Sequence, residues 1–459
     1  MNRHVDIAVV AAGPAGLCAA ATALEEGRSV AIFEKNNVPG GTANMGMGPF
    51  AVGSKVQQRM MDPLTKEQAF EKFMAYNHWK VDARIVRDYF WRSADTIDWL
   101  MSMGVEFVGA MKNFPESHQT WHIVKPLEGQ VGPRCAGAMN RKLYEHCIEL
   151  GGDFYFNTPV KEIIMNDGCA KGVLAVSEQG DDIIIESDAV IIATGGFGTN
   201  PEMVKEHTGY DLGKNMIDFM VPGIVGDGIR MAWKAGAAKG RMMMEKISGN
   251  SIPGASVGQL PQFQCFVQAS PICINYAGDR VANEFTMQNP SVSANIADIQ
   301  PDKNIYRIMD TGILKHLRRD GMEFPSEVNR FIDPTENFEE AWEDAEKQYP
   351  GCAFNSDSLE EIAEKMKVPV ENFIETVERY NDFCEMNYDD DFCKPRDFLR
   401  PIRGKRFYAY RLTCGAYGSL GGIKINHRYE VLREDGDHLR RCTLASDSDE
   451  YPKMRQRRC

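Results

Sequence analysis

The residues with the clearest chemical meaning are Ala11-Ala12-Gly13-Pro14-Ala15-Gly16. They follow an apolar run, Asp6-Ile7-Ala8-Val9-Val10, and lead into a stretch from Ala15 to Glu26 with apolar residues at Leu17, Ala20, Ala21 and Leu24. A glycine-bearing turn that ends a strand and opens a helix offers backbone N–H groups and the positive end of a helix dipole to phosphate. Gly13 lets the backbone approach a pyrophosphate, and Gly16 lets helix and strand pack closely. Glu34 ends a second apolar strand, Ser29 to Phe33, where a carboxylate can accept hydrogen bonds from a ribose. The spacing implies a dinucleotide held in the first wing of a Rossmann-type fold. Ala11 departs from the pattern, which begins with glycine, and its methyl group is tolerated there if the local torsions are negative.

Elements that could position these residues follow in order. Helical patterns cover Arg84 to Met103 and Met139 to Leu150, each closed by glycine. Short strands are expected at Asp153 to Phe156, Val160 to Met165, Gly172 to Ser177, Asp182 to Ile185 and Ala189 to Ala193, with Asp167-Gly168 and Gln179-Gly180-Asp181 as turns. This predicts a parallel sheet carrying a small antiparallel layer. From about Ile247 to Tyr417 loops and helices dominate, among them Phe338 to Tyr349, before a strand-like segment returns at Ile423 to Asn426. The expected organisation is 1–246, 247–417 and 418–459, the middle segment being inserted in the first domain.

The bulk numbers limit the alternatives. The 459 residues exceed the roughly 250–300 at which one core stops growing. A net charge of -13 opposes binding by phosphate neutralisation, so nucleic acid is not an expected partner. The basic residues Arg440, Arg441, Lys453, Arg455, Arg457 and Arg458 alternate with acids and suit a solvated tail. No apolar run reaches the roughly 18 residues of a membrane span, and no secretory leader pattern opens the sequence. The 12 cysteines include no C-x-x-C pair, so neither a metal site nor a haem attachment is indicated, and a cytoplasmic location with reduced thiols is expected.

Further segments make a resemblance specific. Gly40-Gly41-Thr42-Ala43 with Gly46 and Gly48, Ala193-Thr194-Gly195-Gly196-Phe197-Gly198, Gly226-Asp227-Gly228-Ile229, and Asn275 through Gly278, Arg280, Asn283 and Glu284 join the N-terminal motif. Together they resemble the soluble fumarate reductase/succinate dehydrogenase flavoprotein family from about residue 4 to residue 436. The resemblance implies an α/β fold, a Rossmann-like FAD-binding domain with an inserted α+β capping domain. It places FAD on Gly13, Ala15, Gly16, Glu34, Lys35, Gly41, Thr42, Ala43, Gly48, Val160, Ala193, Thr194, Gly195 and Asp227. It also implies hydride transfer between flavin and an activated carbon–carbon double bond, with a proton delivered to the other carbon.

Where fumarate reductases carry the acid arginine, this sequence has Gln288, which cannot protonate a carbanion. The polar relay expected before Ile274-Asn275 reads Phe263-Gln264 and Val267, and the carboxylate-binding histidine is missing from Tyr417-Gly418-Ser419-Leu420-Gly421-Gly422. The latter segment is similar to ketosteroid dehydrogenases, in which tyrosines serve as the acid; Tyr417 and then Tyr276 are the implied candidates. Arg280 and Glu284 are expected to brace a loop as an ion pair, while His122 and Arg134 lie in a loop that either borders the site or is exposed. The implied substrate is an enoate or ketosteroid-like molecule rather than fumarate. Its electrons would come from a partner protein or NAD(P)H.

After Asp435-Gly436 the resemblance breaks, and the expected glycine-rich flavin segment is replaced by Asp437 through Ser446. A frameshift, a split gene or a misassigned end is the implied cause, with part of the flavin cradle lost. The competing readings are a non-catalytic flavoprotein remnant and a pyridine-nucleotide disulfide reductase, the latter lacking its second fingerprint and its cysteine pair.

Overall fold

The strand Arg3–Val10 is apolar enough to be covered on both sides, with Val5, Ala8, Val9 and Val10 buried. In the computed structural model, which describes residues 3–114, 116–218, 222–247, 261–325 and 333–444, it is a central strand of an eight-stranded sheet. It pairs in parallel with Val30–Phe33 on one side and Asp182–Ile192 on the other, and Asp153–Tyr155 lies beyond Val30–Phe33. The alanine-rich helix Pro14–Glu25 crosses this sheet, and its Leu17, Ala20 and Leu24 share a core with Met139, Leu143 and Cys147 of the helix Ala136–Glu149.

Two of the expected strands are one. Asp182–Ile192 runs unbroken through the polar Glu186-Ser187-Asp188 segment because Arg3, His4 and Val5 supply backbone partners to Ile185, Glu186 and Ser187. Its first half pairs antiparallel with Cys169–Val176, which pairs in turn with Val160–Asn166. The antiparallel layer is therefore continuous with the parallel sheet.

The segment past Gly436 also folds differently from its reading as tail. His438–Leu444 is a strand, parallel to Asp182–Ile192, with Cys442 beside Val190 and Leu444 beside Ile192. Leu439 and Cys442 are buried, whereas Arg440 and Arg441 point outward, Arg441 reaching Asp188 at 3.4 Å. Two successive outward residues interrupt the usual alternation of a strand, and Arg441, with a left-handed φ of 62°, is where the irregularity sits. Lys453, Arg455, Arg457 and Arg458 lie outside the described residues. The strand expected from Ile423 is instead the end of a longer one, Gly415–Ile423.

The chain divides into two compact units, residues 1–197, 223–243 and 420–459, and residues 198–222 and 244–419. Residues 198–222 thus belong with the inserted segment. The second unit holds an antiparallel sheet in the order Ile272–Ile274, Asn304–Asp310, Phe407–Thr413, Ala353–Ser356. Against it packs an aromatic core in which Trp342 lies 4.8 Å from the Phe266 ring and 5.2 Å from the Phe338 ring. Among the described residues, no helix is long and apolar enough to cross a membrane, and no cluster of His, Cys, Asp and Glu could hold a metal ion.

Candidate active site

The turn that opens the first helix is tight. Ala11 has a φ of 86°, so the torsion is positive and the methyl group occupies a conformation that glycine adopts freely. The Ala11 N–H donates to the Phe33 carbonyl at 2.8 Å and holds it there. Such a conformation costs an alanine about 1–2 kcal/mol. A Cβ on Gly16 would stand 2.0 Å from the Ala11 carbonyl oxygen and 3.3 Å from the Ala193 Cβ, so the helix can approach the sheet only with glycine there. No side chain caps the helix at Gly13, and Pro14 has no N–H, which leaves the Ala15 and Gly16 N–H groups for an external acceptor.

Glu34 is 4% exposed and accepts hydrogen bonds from the Ala12 N–H at 2.9 Å, the Asn36 N–H at 2.9 Å and the Asn36 Nδ2 at 3.0 Å. A carboxylate has about four acceptor positions, so capacity for a ribose hydroxyl remains. The Thr158 N–H donates to the Glu34 carbonyl at 2.9 Å, which brings the buried Val160 and its strand beside the same edge. Lys35 binds Asp227 at 2.8 Å and also donates to the Gly223 carbonyl. Arg230 holds the other Asp227 oxygen at 2.8 Å.

Two more segments close the cradle. The Gly40 N–H donates to the Ala12 carbonyl at 2.8 Å, and a Cβ on Gly41 would meet the Gly13 Cα at 3.3 Å, so the short helix Gly41–Met45 with Thr42 and Ala43 faces the phosphate turn. The Gly226 N–H donates to the Gly196 carbonyl at 2.9 Å, which fixes the start of the helix Asp227–Lys234 next to Ala193, Thr194 and Gly195. Gly195, at a φ of 70°, has open space where a side chain would be. Uncapped N–H groups, glycine backbone in mutual contact and a buried acid with acceptor capacity fit a dinucleotide cofactor.

One supporting residue was not legible. Asn140, inside the helix Ala136–Glu149 and 1% exposed, donates from Nδ2 to the Asn44 Oδ1 at 2.8 Å and to the Gly40 carbonyl at 3.3 Å. Its polar amide on a face shared by Met139, Leu143 and Cys147 was the available signal. Gly48 has a local reason of its own, since a Cβ there would stand 1.9 Å from the His122 carbonyl oxygen.

His122 is fully buried rather than part of an exposed loop, because the segment around it forms the strand Trp121–Val124. Its Nδ1 lies 2.9 Å from the Thr120 carbonyl, which requires the proton on Nδ1, so Nε2 accepts from the Ser54 hydroxyl at 2.5 Å. Burial lowers its pKa to about 4. Arg134 is exposed.

In the second unit the Arg280–Glu284 pair braces more than a loop. Arg280 grips Glu284 through Nε and one terminal nitrogen, both at 2.8 Å, and Asp389 at 2.7 and 2.8 Å. Lys394 stands 3.3 Å from Glu284. Burial opposes the Glu284 charge, but Lys394 and Arg280 hold its carboxyl below the usual range. Asp389 and Lys394 lie over a hundred positions away, and no local pattern marks them.

Phe263 packs its ring 4.7 Å from Tyr410 and 5.0 Å from Trp342, so the position of the polar relay has become core. Gln288 is 6% exposed, and neither of its amide atoms has a hydrogen-bond partner. Tyr417, on the strand Gly415–Ile423, is half exposed; the protein mass around it and the charge of Glu245 raise its hydroxyl above the ordinary tyrosine range. Tyr276 is also half exposed, but it sits in the Asn275–Asp279 turn that follows a strand of the other sheet, where Asn372 pins the neighbouring Ala277 carbonyl at 2.6 Å.

Comparison with known proteins agrees with this geometry. A family model described as the FAD binding domain matches residues 6–440. The chain is 30% identical over 443 residues to the vinyl phenol reductase of Lactiplantibacillus plantarum, covering 95% of this chain and 87% of that protein. It is 29% identical over 433 residues to a cytochrome-type fumarate reductase of Shewanella frigidimarina, covering 93% and 69%. In fold it is similar to the 3-ketosteroid Δ1-dehydrogenase of Sterolibacterium denitrificans, with a TM-score of 0.74 at 17% identity over 96% of this chain and 93% of that one. The chain belongs to the FAD-binding family and is an FAD-dependent oxidoreductase acting at carbon–carbon bonds.

Proposed function

We propose that the protein reduces the double bond of an uncharged conjugated alkene, an enone or an aryl alkene, with Tyr417 as the proton donor. The observation that carries this reading is Gln288, a buried amide without a partner at the position where the family's fumarate reductases have an arginine. An amide offers one acceptor and two N–H donors but no charge, so it matches a neutral polar group and leaves a carboxylate uncompensated. The aromatic Phe263 removes a second charged position. The relative from Lactiplantibacillus plantarum, named for vinyl phenol, fits the same substrate class.

Bound FAD would lie on Gly13, Ala15, Gly16, Glu34, Lys35, Gly41, Thr42, Ala43, Gly48, Val160, Ala193, Thr194, Gly195 and Asp227, and would supply the hydride. A tyrosine hydroxyl is protonated at neutral pH, as a general acid requires, and burial and the charge of Glu245 hold that of Tyr417 further above its ordinary range. Tyr276 has a structural setting and takes no part. Electrons reach the flavin from a partner protein or from NAD(P)H.

The test mixes dithionite-reduced protein with 4-vinylphenol, an enone and fumarate while flavin absorbance is followed. Reoxidation by a neutral alkene but not by fumarate is expected. Tyr417→Phe should lower turnover by roughly 10²–10⁴-fold with flavin still bound. Rapid reoxidation by fumarate alone would overturn the substrate reading.

A further inference from the structure

A tyrosine that gives up a proton must recover it before the next turnover, and the polar relay that the family uses is absent here. The strand Lys239–Ile247 supplies a replacement by its register against Gly415–Ile423. The Lys424 N–H donates to the Ala238 carbonyl at 3.1 Å. A Cβ on Gly240 would stand 3.4 Å from the Gly422 nitrogen, and one on Gly421 would stand 1.7 Å from the Arg241 carbonyl oxygen. Each step forward on one strand is a step back on the other, so the pair is antiparallel. Counted on along both strands, past the left-handed Gly421 and Gly422, this pairing brings Glu245 to the neighbourhood of Tyr417, and the charge of Glu245 does act on the Tyr417 hydroxyl. Facing residues of neighbouring strands, direct or diagonal, stand within roughly 4.5–8 Å of one another, inside the reach of a glutamate and a tyrosine.

We infer that Glu245 is the positioning and relay residue that returns a proton to Tyr417 after each reduction. This rests on the assignment of Tyr417 as the proton donor. Bound FAD, once reduced, would supply the hydride to one alkene carbon; Tyr417 gives its hydroxyl proton to the other, the Glu245 carboxyl protonates the Tyr417 phenolate, and solvent reprotonates Glu245.

The surroundings suit this role. Glu245 is exposed, which gives it access to solvent, while the protein mass near it raises its carboxyl above the usual range. The adjacent Lys246 points to the opposite face, where it pairs with Asp298 at 2.5 Å, and Lys303 reaches the same carboxylate at 3.5 Å. Arg241 shares the face of Glu245 but lies four residues back, roughly 13 Å along the strand.

The experiment uses the flavin-loaded protein and the neutral alkene on which the wild type turns over. Glu245→Gln should cut kcat at least tenfold with KM little changed, and the loss should fall more on repeated turnover than on a single reoxidation of reduced flavin. In Glu245→Ala, added acetate should restore part of kcat. A readout independent of activity is the ultraviolet titration of tyrosinate, taken as the difference between each protein and its Tyr417→Phe counterpart: removal of the Glu245 charge should lower the Tyr417 pKa. An unchanged kcat, or an unmoved titration, in a folded Glu245→Gln protein would overturn the relay. If Tyr417→Phe itself turned over normally, the proton-donor assignment would fall instead.

Discussion

The cofactor cradle of the first unit is made largely of backbone, with Glu34 as its buried acid, whereas the proposed substrate residues of the second unit act through their side chains. The phosphate turn works through the N–H groups of Ala15 and Gly16, through carbonyls that fix Gly40 and Gly226, and through positions such as Gly16 where any side chain collides. In the proposed reading, substrate choice would depend on what Gln288, Tyr417 and Phe263 carry beyond their Cβ atoms. A backbone site survives exchange of most residues around it. A side-chain site changes its substrate with one or two exchanges, which is how one cofactor scaffold serves several alkenes.

This contrast can be broken most severely at Arg280. Arg280→Met leaves Glu284 buried with Lys394 as its remaining cation and Asp389 buried with only N–H donors such as that of Lys394, and should cost about 3–5 kcal/mol in urea unfolding. A loss below 1 kcal/mol would show that the second unit tolerates side-chain exchange as the first does.

His122, like Asn140 and Glu34, is a buried side chain of the first unit on which local structure rests. Its folded pKa of about 4 lies below the unfolded 6.5, so the unfolded chain binds the extra proton and stability falls as the pH drops from about 6.5 to about 4. The expected loss is about 3 kcal/mol, and His122→Gln should flatten this part of the pH–stability curve. Identical curves for the two proteins would remove the assignment.

Glu34→Ala comes next, since it strands the buried Ala12 N–H and removes the ribose acceptor. About 1–3 kcal/mol of flavin affinity should vanish, read as a ten- to hundredfold weaker retention of FAD on dialysis. The smallest change sharpens the comparison in the other direction. Ala11→Gly should relieve the positive φ and raise stability by about 1 kcal/mol, a shift of a few degrees in Tm.

The same contrast explains how far the sequence could be read. The turn at Gly13 and Gly16, Glu34 after its strand, and the helix Pro14–Glu25 follow from short-range spacing, and their geometry is local. The replacement of arginine by Gln288 was visible by position. Asn140, Asp389 and Lys394 were not, because each meets its partner from a distant element. The unbroken strand Asp182–Ile192 was hidden for a related reason: its polar middle is stabilised by pairing with Arg3 to Val5. That the strands carrying Glu245 and Tyr417 are neighbours is likewise a long-range fact, which no spacing within either segment discloses.

The strand Asp182–Ile192 has Arg3–Val10 on one side and His438–Leu444 on the other. Asp188 and its partner Arg441 are 253 positions apart. At the usual pace of synthesis the second neighbour leaves the ribosome roughly 10–50 s after the first contacts are available. Throughout that interval Val190, Ile191 and Ile192 present an unpaired apolar edge, the kind of surface that recruits other nascent chains. The sheet can therefore be completed only after nearly the whole polypeptide has been made.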